Sequence, residues 1–141
     1  YIVLIYLIYN IKTGRLTYSS AGMNAKPFLI RKDGTVSAVP IYGIPICKLK
    51  DVFEPKYYNN YIDMKPGDKL VFYTDGFVDA KNKDNEEYSV ERLRKFLEDY
   101  CHLSGEELVE AAQNDLFNFI DREDNAKDDI TFAVLDFGGI S

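Results

Sequence analysis

An aspartate stands at the end of a short apolar segment in the middle of the sequence. Leu70–Thr74 (LVFYT) reads as a buried strand, and Asp75-Gly76 ends it abruptly. A charged side chain beside a buried segment is uncommon unless it is paired or binds a metal. A simpler interpretation stays open at this point, because Asp followed by Gly also begins many ordinary turns.

A second acidic feature opens the last apolar segment. Asp128 and Asp129 precede Ile130–Phe137 (ITFAVLDF), which reads as a closing strand. Both could simply belong to an exposed acidic loop, Asp121–Asp129. Side chains alternate along a strand, so both carboxylates cannot enter one site once the strand has begun. One would then bind a ligand while the other orients it or caps the loop.

The two features gain meaning together. If the two strands are antiparallel neighbours, the end of one meets the beginning of the other, and Asp75 and Asp128 converge on one rim. Like charges at short range in a low dielectric repel unless a cation lies between them. Ligation by oxygen alone suits a hard ion such as Mg²⁺ or Mn²⁺.

The remaining patterns predict the elements that position these residues. Alternation and turn signals predict a meander of antiparallel strands that begins with a buried strand. Apolar spacing after Ser89, and a capping box at Ser104 and Glu107, predict two helices. This order predicts an α+β fold with an antiparallel sheet, in a single domain spanning 1–141. The other predicted strands are Tyr1–Tyr9, Leu16–Ala21, Phe28–Ile30, Thr35–Val39 and Tyr57–Met64.

Composition excludes several classes of function. A net charge of −6 argues against binding nucleic acid, whose phosphates would be repelled. His102 is the one histidine and falls between the two predicted helices, so neither a zinc site nor a Ser-His-Asp triad is supported. Cys47 and Cys101 form no disulfide framework. This favours a location in the reducing cytoplasm, either for the whole protein or for this domain as the cytoplasmic part of a larger, membrane-attached protein. Tyr1–Tyr9 is far shorter than a membrane-spanning helix.

Several segments, in order, resemble the bacterial PPM phosphatases of the SpoIIE-like branch. Thr13–Asn24 (TGRLTYSSAGMN) is similar to their TGxLTYxxAGHNPP stretch. Met64–Gly76 is similar to their Leu-x-Pro-Gly-Asp, strand and Tyr-Thr-Asp-Gly, and Asp128–Thr131 to their closing Asp-Asp-Ile-Thr. Gly43–Ile46 and Asp79–Asn82 also resemble family segments. Each match alone is weak, and the ordered set is specific.

The resemblance implies an antiparallel β-sandwich flanked by helices, with two Mn²⁺ or Mg²⁺ ions at one end. It implies hydrolysis of phosphoserine or phosphothreonine on a regulatory protein, such as a phosphorylated anti-sigma factor antagonist, by a water activated between the metals. By position, Asp75 and Asp128 match catalytic metal ligands. Gly76 lets the backbone pass close to the metal rim, and Asp129 supports its neighbour. A sensor or regulatory domain is expected upstream.

The sequence also departs from the family. The first metal ligands of the family, and the first strands and helices of its sandwich, lie upstream of Tyr1, so we expect an incomplete fold. Met23 stands where many relatives have His. Strand edges left uncovered would favour self-association into a homodimer. The alternative function is a catalytically inert phosphatase-like module that binds a regulatory protein partner. An intact metal-ligand aspartate upstream would favour the enzyme, and its loss would favour the inert module.

The missing ligands generate a first prediction. We expect the purified 141-residue chain to hydrolyse phosphate esters far below the rate of a complete domain, because part of the metal site would be absent. Phosphate release with Mn²⁺ measures this. Robust Mn²⁺-dependent turnover by the isolated chain would contradict it.

Overall fold

The computed structural model describes residues 1–48, 54–121 and 128–138. Most of the acidic loop predicted at 121–129 therefore lies outside the described residues. Within the described chain, seven strands and three helices follow the predicted order of strands, helices and a closing strand. They are β1 Leu4–Asn10, β2 Arg15–Ala21, β3 Phe28–Ile30, β4 Val36–Ala38, β5 Asn60–Asp63, β6 Asp68–Tyr73, α1 Asp75–Val78, α2 Val90–Asp99, α3 Gly105–Ile120 and β7 Phe132–Phe137.

The strands form two antiparallel sheets. One sheet has the order β1-β2-β5, and the other has the order β4-β3-β6-β7. The single meander predicted from the sequence is therefore wrong. The chain leaves the first sheet after Ala21, at Gly22, whose φ of 73° is a conformation that glycine adopts without strain. The next strand, β3, pairs in the second sheet.

An apolar layer joins the inner faces of the two sheets. Leu16 and Tyr18 of β2 point from the first sheet toward the second, and Leu29 and Leu70 point from the second sheet toward the first. All four side chains are buried. Alternation along each strand places one face of each sheet in this layer. The predicted β-sandwich is thus confirmed.

The opposite face of the second sheet packs against α2 and α3. Ile30 and Val71 contribute from the sheet, and Leu93 and Leu116 contribute from the two helices. Both predicted helix starts are confirmed. The Ser89 side chain accepts a hydrogen bond from the Arg92 backbone, and Ser104 and Glu107 form the reciprocal capping box. The Ser104 backbone N–H, which donates to the Glu107 carboxylate, holds the pKa of Glu107 below its usual value. None of the described helices is long and apolar enough to span a membrane.

The first strand differs from its predicted environment. The sequence predicts a buried strand at Tyr1–Tyr9, whereas β1 lies at the edge of its sheet. Tyr6 is 62% exposed and Ile8 is 54% exposed, because no element among the described residues covers the outer face of this sheet. An apolar run indicates that a strand favours burial, but it does not identify the element that packs over it.

A buried carboxylate anchors the beginning of β6. Asp68 is fully buried, and its side chain accepts hydrogen bonds from Arg31 at 2.7 Å and from the backbone N–H groups of Lys32 and Lys65 at 3.1 and 2.8 Å. These donors replace the water that the carboxylate loses on burial. The contacts tie the β3–β4 turn to the strand that carries Asp75 at its other end.

The Asp68 anchor generates a stability prediction. Asp68→Ala should lower the free energy of unfolding by about 3 kcal/mol, because two backbone donors lose their acceptor and Arg31 keeps only the Asp63 carbonyl. Asp63→Ala is the matched control, since its ion pair with Arg15 is exposed and should contribute less than about 1 kcal/mol. Urea denaturation followed by circular dichroism compares the two. Equal losses would show that Asp68 is not an anchor.

Candidate metal centre

The candidate site lies where β6 ends and β7 begins. The two strands pair antiparallel, with Tyr73 opposite Phe132. Pairing continues one residue further, where the Thr74 N–H donates to the Thr131 carbonyl at 3.0 Å. The end of one strand and the beginning of the other therefore share one rim of the sheet. This is the neighbour relationship on which the predicted convergence of the two acidic segments depends.

Thr74 holds the two acidic segments together with its side chain. Its hydroxyl accepts a hydrogen bond from the Thr131 N–H at 3.0 Å and donates one to the Asp129 carbonyl at 3.3 Å. One small side chain thus satisfies a donor and an acceptor on the facing segment. The contacts fix the segment after the strand ladder has ended.

Gly76 lets the two segments touch. A Cβ atom at this position would overlap the carbonyl oxygen of Asp129 and would lie 3.5 Å from the Cβ of Asp128. The backbone after Asp75 is therefore in van der Waals contact with the segment that carries Asp128. The predicted role of Gly76, to let the backbone pass close to a metal rim, stays a prediction; the contact found here is with the Asp128–Asp129 segment.

Asp75 begins α1, a single helical turn that the sequence analysis did not predict. An aspartate in the first turn of a helix faces the free N–H groups there, and the Gly76 N–H lies 3.2 Å from its Oδ1. Its Oδ2 accepts a hydrogen bond from the Asn24 side-chain amide at 3.3 Å. Asp75 is exposed, so its carboxylate is oriented from two sides and remains open to solvent.

Asn24 is the residue that sequence reasoning missed. It lies in the connection between β2 and β3, and its Oδ1 also accepts the Ala25 N–H at 2.9 Å. The available signal was its place in the Ala21–Asn24 stretch, which carries part of the family resemblance. Spacing along the chain does not reveal that this amide meets Asp75, because the two residues lie in different elements.

Asp128 and Asp129 both precede β7, which begins at Phe132, so the alternation of side chains along a strand does not separate them. The Asp128 Oδ1 accepts the Asp129 backbone N–H at 2.8 Å, so the backbone of one residue orients the carboxylate of the other. Within the described chain, no hydrogen bond or ion pair reaches the Asp129 carboxylate. Both side chains are exposed.

The chemistry of the donors fits a divalent cation. Asp75 and Asp128 supply carboxylate oxygens at one open rim, and no Lys or Arg among the described residues pairs with either. Two oriented and uncompensated carboxylates suit a hard ion that takes oxygen ligands. No group of three His, Cys, Asp or Glu side chains that could hold a metal is found in the part of the chain that is described.

The two-sheet fold is that of PP2C-type phosphatase domains. The chain superimposes on the phosphatase domain of the cell fate determinant SpoIIE from Bacillus subtilis with a TM-score of 0.71 and 14% identity, covering 100% of this chain and 60% of that one. It matches the RsbU and RsbW domains of Rv1364c from Mycobacterium tuberculosis with a TM-score of 0.72 and 16% identity, covering 99% and 37%. It matches RsbX in complex with magnesium with a TM-score of 0.56 and 22% identity, covering 94% of this chain and 54% of that one.

A family model places the chain more narrowly. The model described as Stage II sporulation protein E (SpoIIE) matches residues 1–138, so the chain belongs to the SpoIIE family. No curated protein sequence matches it significantly. The chain spans at most 60% of the length of the solved phosphatase chains described above.

The contact at Gly76 generates a prediction with opposing terms. Alanine favours a helical position over glycine by about 1 kcal/mol. Here its methyl group would overlap backbone atoms of Asp129, which cannot rotate away, so the overpacking cost falls in the upper part of its usual range, about 2–3 kcal/mol. We therefore expect Gly76→Ala to lower the free energy of unfolding by about 1–2 kcal/mol net.

Gly138→Ala is the matched control, because no heavy atom lies within 4 Å of a Cβ at that position. Its effect should stay within about 0.5 kcal/mol. Denaturant titrations of both variants give the comparison. A Gly76→Ala protein as stable as the control would show that the two acidic segments are not in contact.

Proposed function

We propose that the complete protein hydrolyses phosphoserine or phosphothreonine on a regulatory protein, and that Asp75 and Asp128 hold Mn²⁺ or Mg²⁺ for this reaction. The observation that carries the proposal is the close packing of the two acidic segments at one open rim, with no positive side chain paired to either carboxylate among the described residues. Membership of the SpoIIE family supports the reaction class.

The chain's own residues have distinct tasks in this proposal. Asp75 and Asp128 bind the cations, the Asn24 amide and the Gly76 N–H orient Asp75, and the Asp129 N–H orients Asp128. Thr74 keeps the two segments in register. Bound divalent ions supply an activated water at neutral pH and neutralise charge on phosphoryl oxygens. Carboxylates held in place before cations bind lose little further freedom on binding.

The rest of the ligand set belongs to the same proposal. Two described carboxylates leave coordination positions for further oxygen ligands. We expect these ligands from the part of the phosphatase domain that this chain does not cover. Support for the metals comes from the fold, since solved domains of this fold include RsbX with magnesium and a manganese-presoaked SpoIIE.

The proposed substrate is a small phosphorylated signalling protein of the anti-sigma factor antagonist type. The fold likeness to the RsbU and RsbW domains of Rv1364c, and to SpoIIE with a fragment of its regulatory domain, supports a regulatory setting with further domains. A cytoplasmic location is part of the proposal and is supported by two free cysteines, Cys47 and Cys101.

The metal assignment is tested in the complete protein. Asp75→Asn and Asp128→Asn should each reduce Mn²⁺-dependent phosphate release at least about 100-fold, because even the loss of groups that only orient metal ligands costs about 10–100-fold. Both side chains are exposed, so the free energy of unfolding should change by less than about 0.5 kcal/mol.

Asp84→Asn is the control, since Asp84 lies in the 79–89 loop and its side chain has no recorded partner in the described chain. Phosphate release measures catalysis in all three variants, and Mn²⁺ calorimetry measures cation binding in the same proteins. Full activity in both rim variants would rule out the metal assignment. A wild-type protein that binds its partner without turnover would favour the inert binding module.

A further inference from the structure

A cavity opens beside the candidate metal centre, between α3 and the beginning of β7. Its volume is about 400 Å³, within the range of about 300–1,000 Å³ typical of ligand pockets. Asp128 and Asp129 line one side of it, and Gln113 contributes an amide from α3. The remaining wall is apolar and consists of Phe77, Val109, Leu116, Phe117, Ile130 and Phe132.

The cavity and the metal rim share residues. Asp128 belongs to both, and Phe77 follows Asp75 by two positions on the same helical turn. A group inside the cavity would therefore lie close to a phosphate bound at the rim. Since consecutive Cα atoms are about 3.8 Å apart, the substrate residue that can reach it is a near neighbour of the phosphorylated residue.

The lining determines which side chain fits. The apolar wall suits an aliphatic stem, and the Asp129 carboxylate has no partner among the described residues that would neutralise it. A purely apolar side chain in the cavity would displace water from the Asp129 carboxylate. It would offer no hydrogen bonds in place of those that the water made. An acidic occupant would be repelled. Lysine and arginine combine a long apolar stem with a cationic head.

We propose that this cavity is a specificity subsite for a lysine or arginine side chain next to the phosphorylated residue of the protein substrate. The inference rests on the proposed phosphatase function and adds a substrate preference to it. The stem packs on the apolar wall, and the head pairs with Asp129. The net charge of −6 supports the same preference, because an acidic domain attracts basic segments.

The first arm of the test compares substrates with the complete protein and Mn²⁺. The probes are phosphoserine peptides that carry Arg, Leu or Glu at one flanking position, scanned over two positions on each side. At one position, the Arg peptide should exceed the Glu peptide by about tenfold or more in kcat/KM, as expected for a single charge-assisted hydrogen bond. The Leu peptide should fall between them. Equal rates at every position would overturn the subsite.

The second arm uses a matched pair of variants on α3. Gln113→Arg places a cation at the cavity, whereas Asn114→Arg adds the same charge at an exposed neighbour that does not line it. Gln113→Arg should abolish the preference for the Arg peptide, and Asn114→Arg should retain it. Asn114→Arg should hydrolyse p-nitrophenyl phosphate, a probe without flanking residues, at the wild-type rate, because Asn114 does not line the cavity. Retention of the preference in Gln113→Arg would overturn the proposal.

Direct binding separates failure of the subsite from failure of the proposed function. Fluorescence anisotropy of the same peptides measures affinity whether or not the protein turns them over. Tighter binding of the Arg peptide that Gln113→Arg removes supports the subsite, even if no probe is hydrolysed and the proposed reaction fails. Turnover of p-nitrophenyl phosphate with equal affinity for all three peptides supports the reaction and eliminates the subsite.

Discussion

The antiparallel pairing of β6 with β7 is the constraint on which the candidate site depends. It brings together two acidic segments that are far apart in sequence, and it sets which ends of the strands meet. Thr74 then extends this pairing beyond the ladder through its hydroxyl. The result places the two acidic segments in contact, with no basic side chain paired to Asp75 or Asp128 in the described chain.

The strand that precedes Asp75, β6, is packed on both faces. Leu70 packs into the layer between the sheets, while Val71 and Tyr73 pack toward the helices, so both faces of β6 are covered. At its other end, Asp68 is fixed by Arg31 and by two backbone donors. A side chain just beyond the end of such a strand has little freedom to move, which is the property that a preorganised site requires.

Local chemistry made much of this arrangement predictable. Caps at Ser89 and Ser104 and the apolar run before Asp75 each predict an element from neighbouring residues alone, and the structure has all three. The transfer of the chain between sheets after Gly22 was not predicted, because a glycine turn does not specify the next partner strand. Exposure of β1 was missed for a related reason, since burial depends on neighbours that a pattern within one strand does not identify.

Asp129 links the parts of the site that sequence reasoning treated separately. Its N–H orients the Asp128 carboxylate, its carbonyl accepts the Thr74 hydroxyl, and its side chain lines the apolar cavity. The backbone of one residue thus orients the Asp128 carboxylate, while the carboxylate of the same residue lines the cavity. A change in the conformation of this residue would alter ligand orientation and the cavity together, because both depend on the same peptide units. In the proposed function, substrate contact in the cavity and cation binding at the rim are therefore expected to be energetically coupled, and linkage requires that each change the affinity of the other by the same factor.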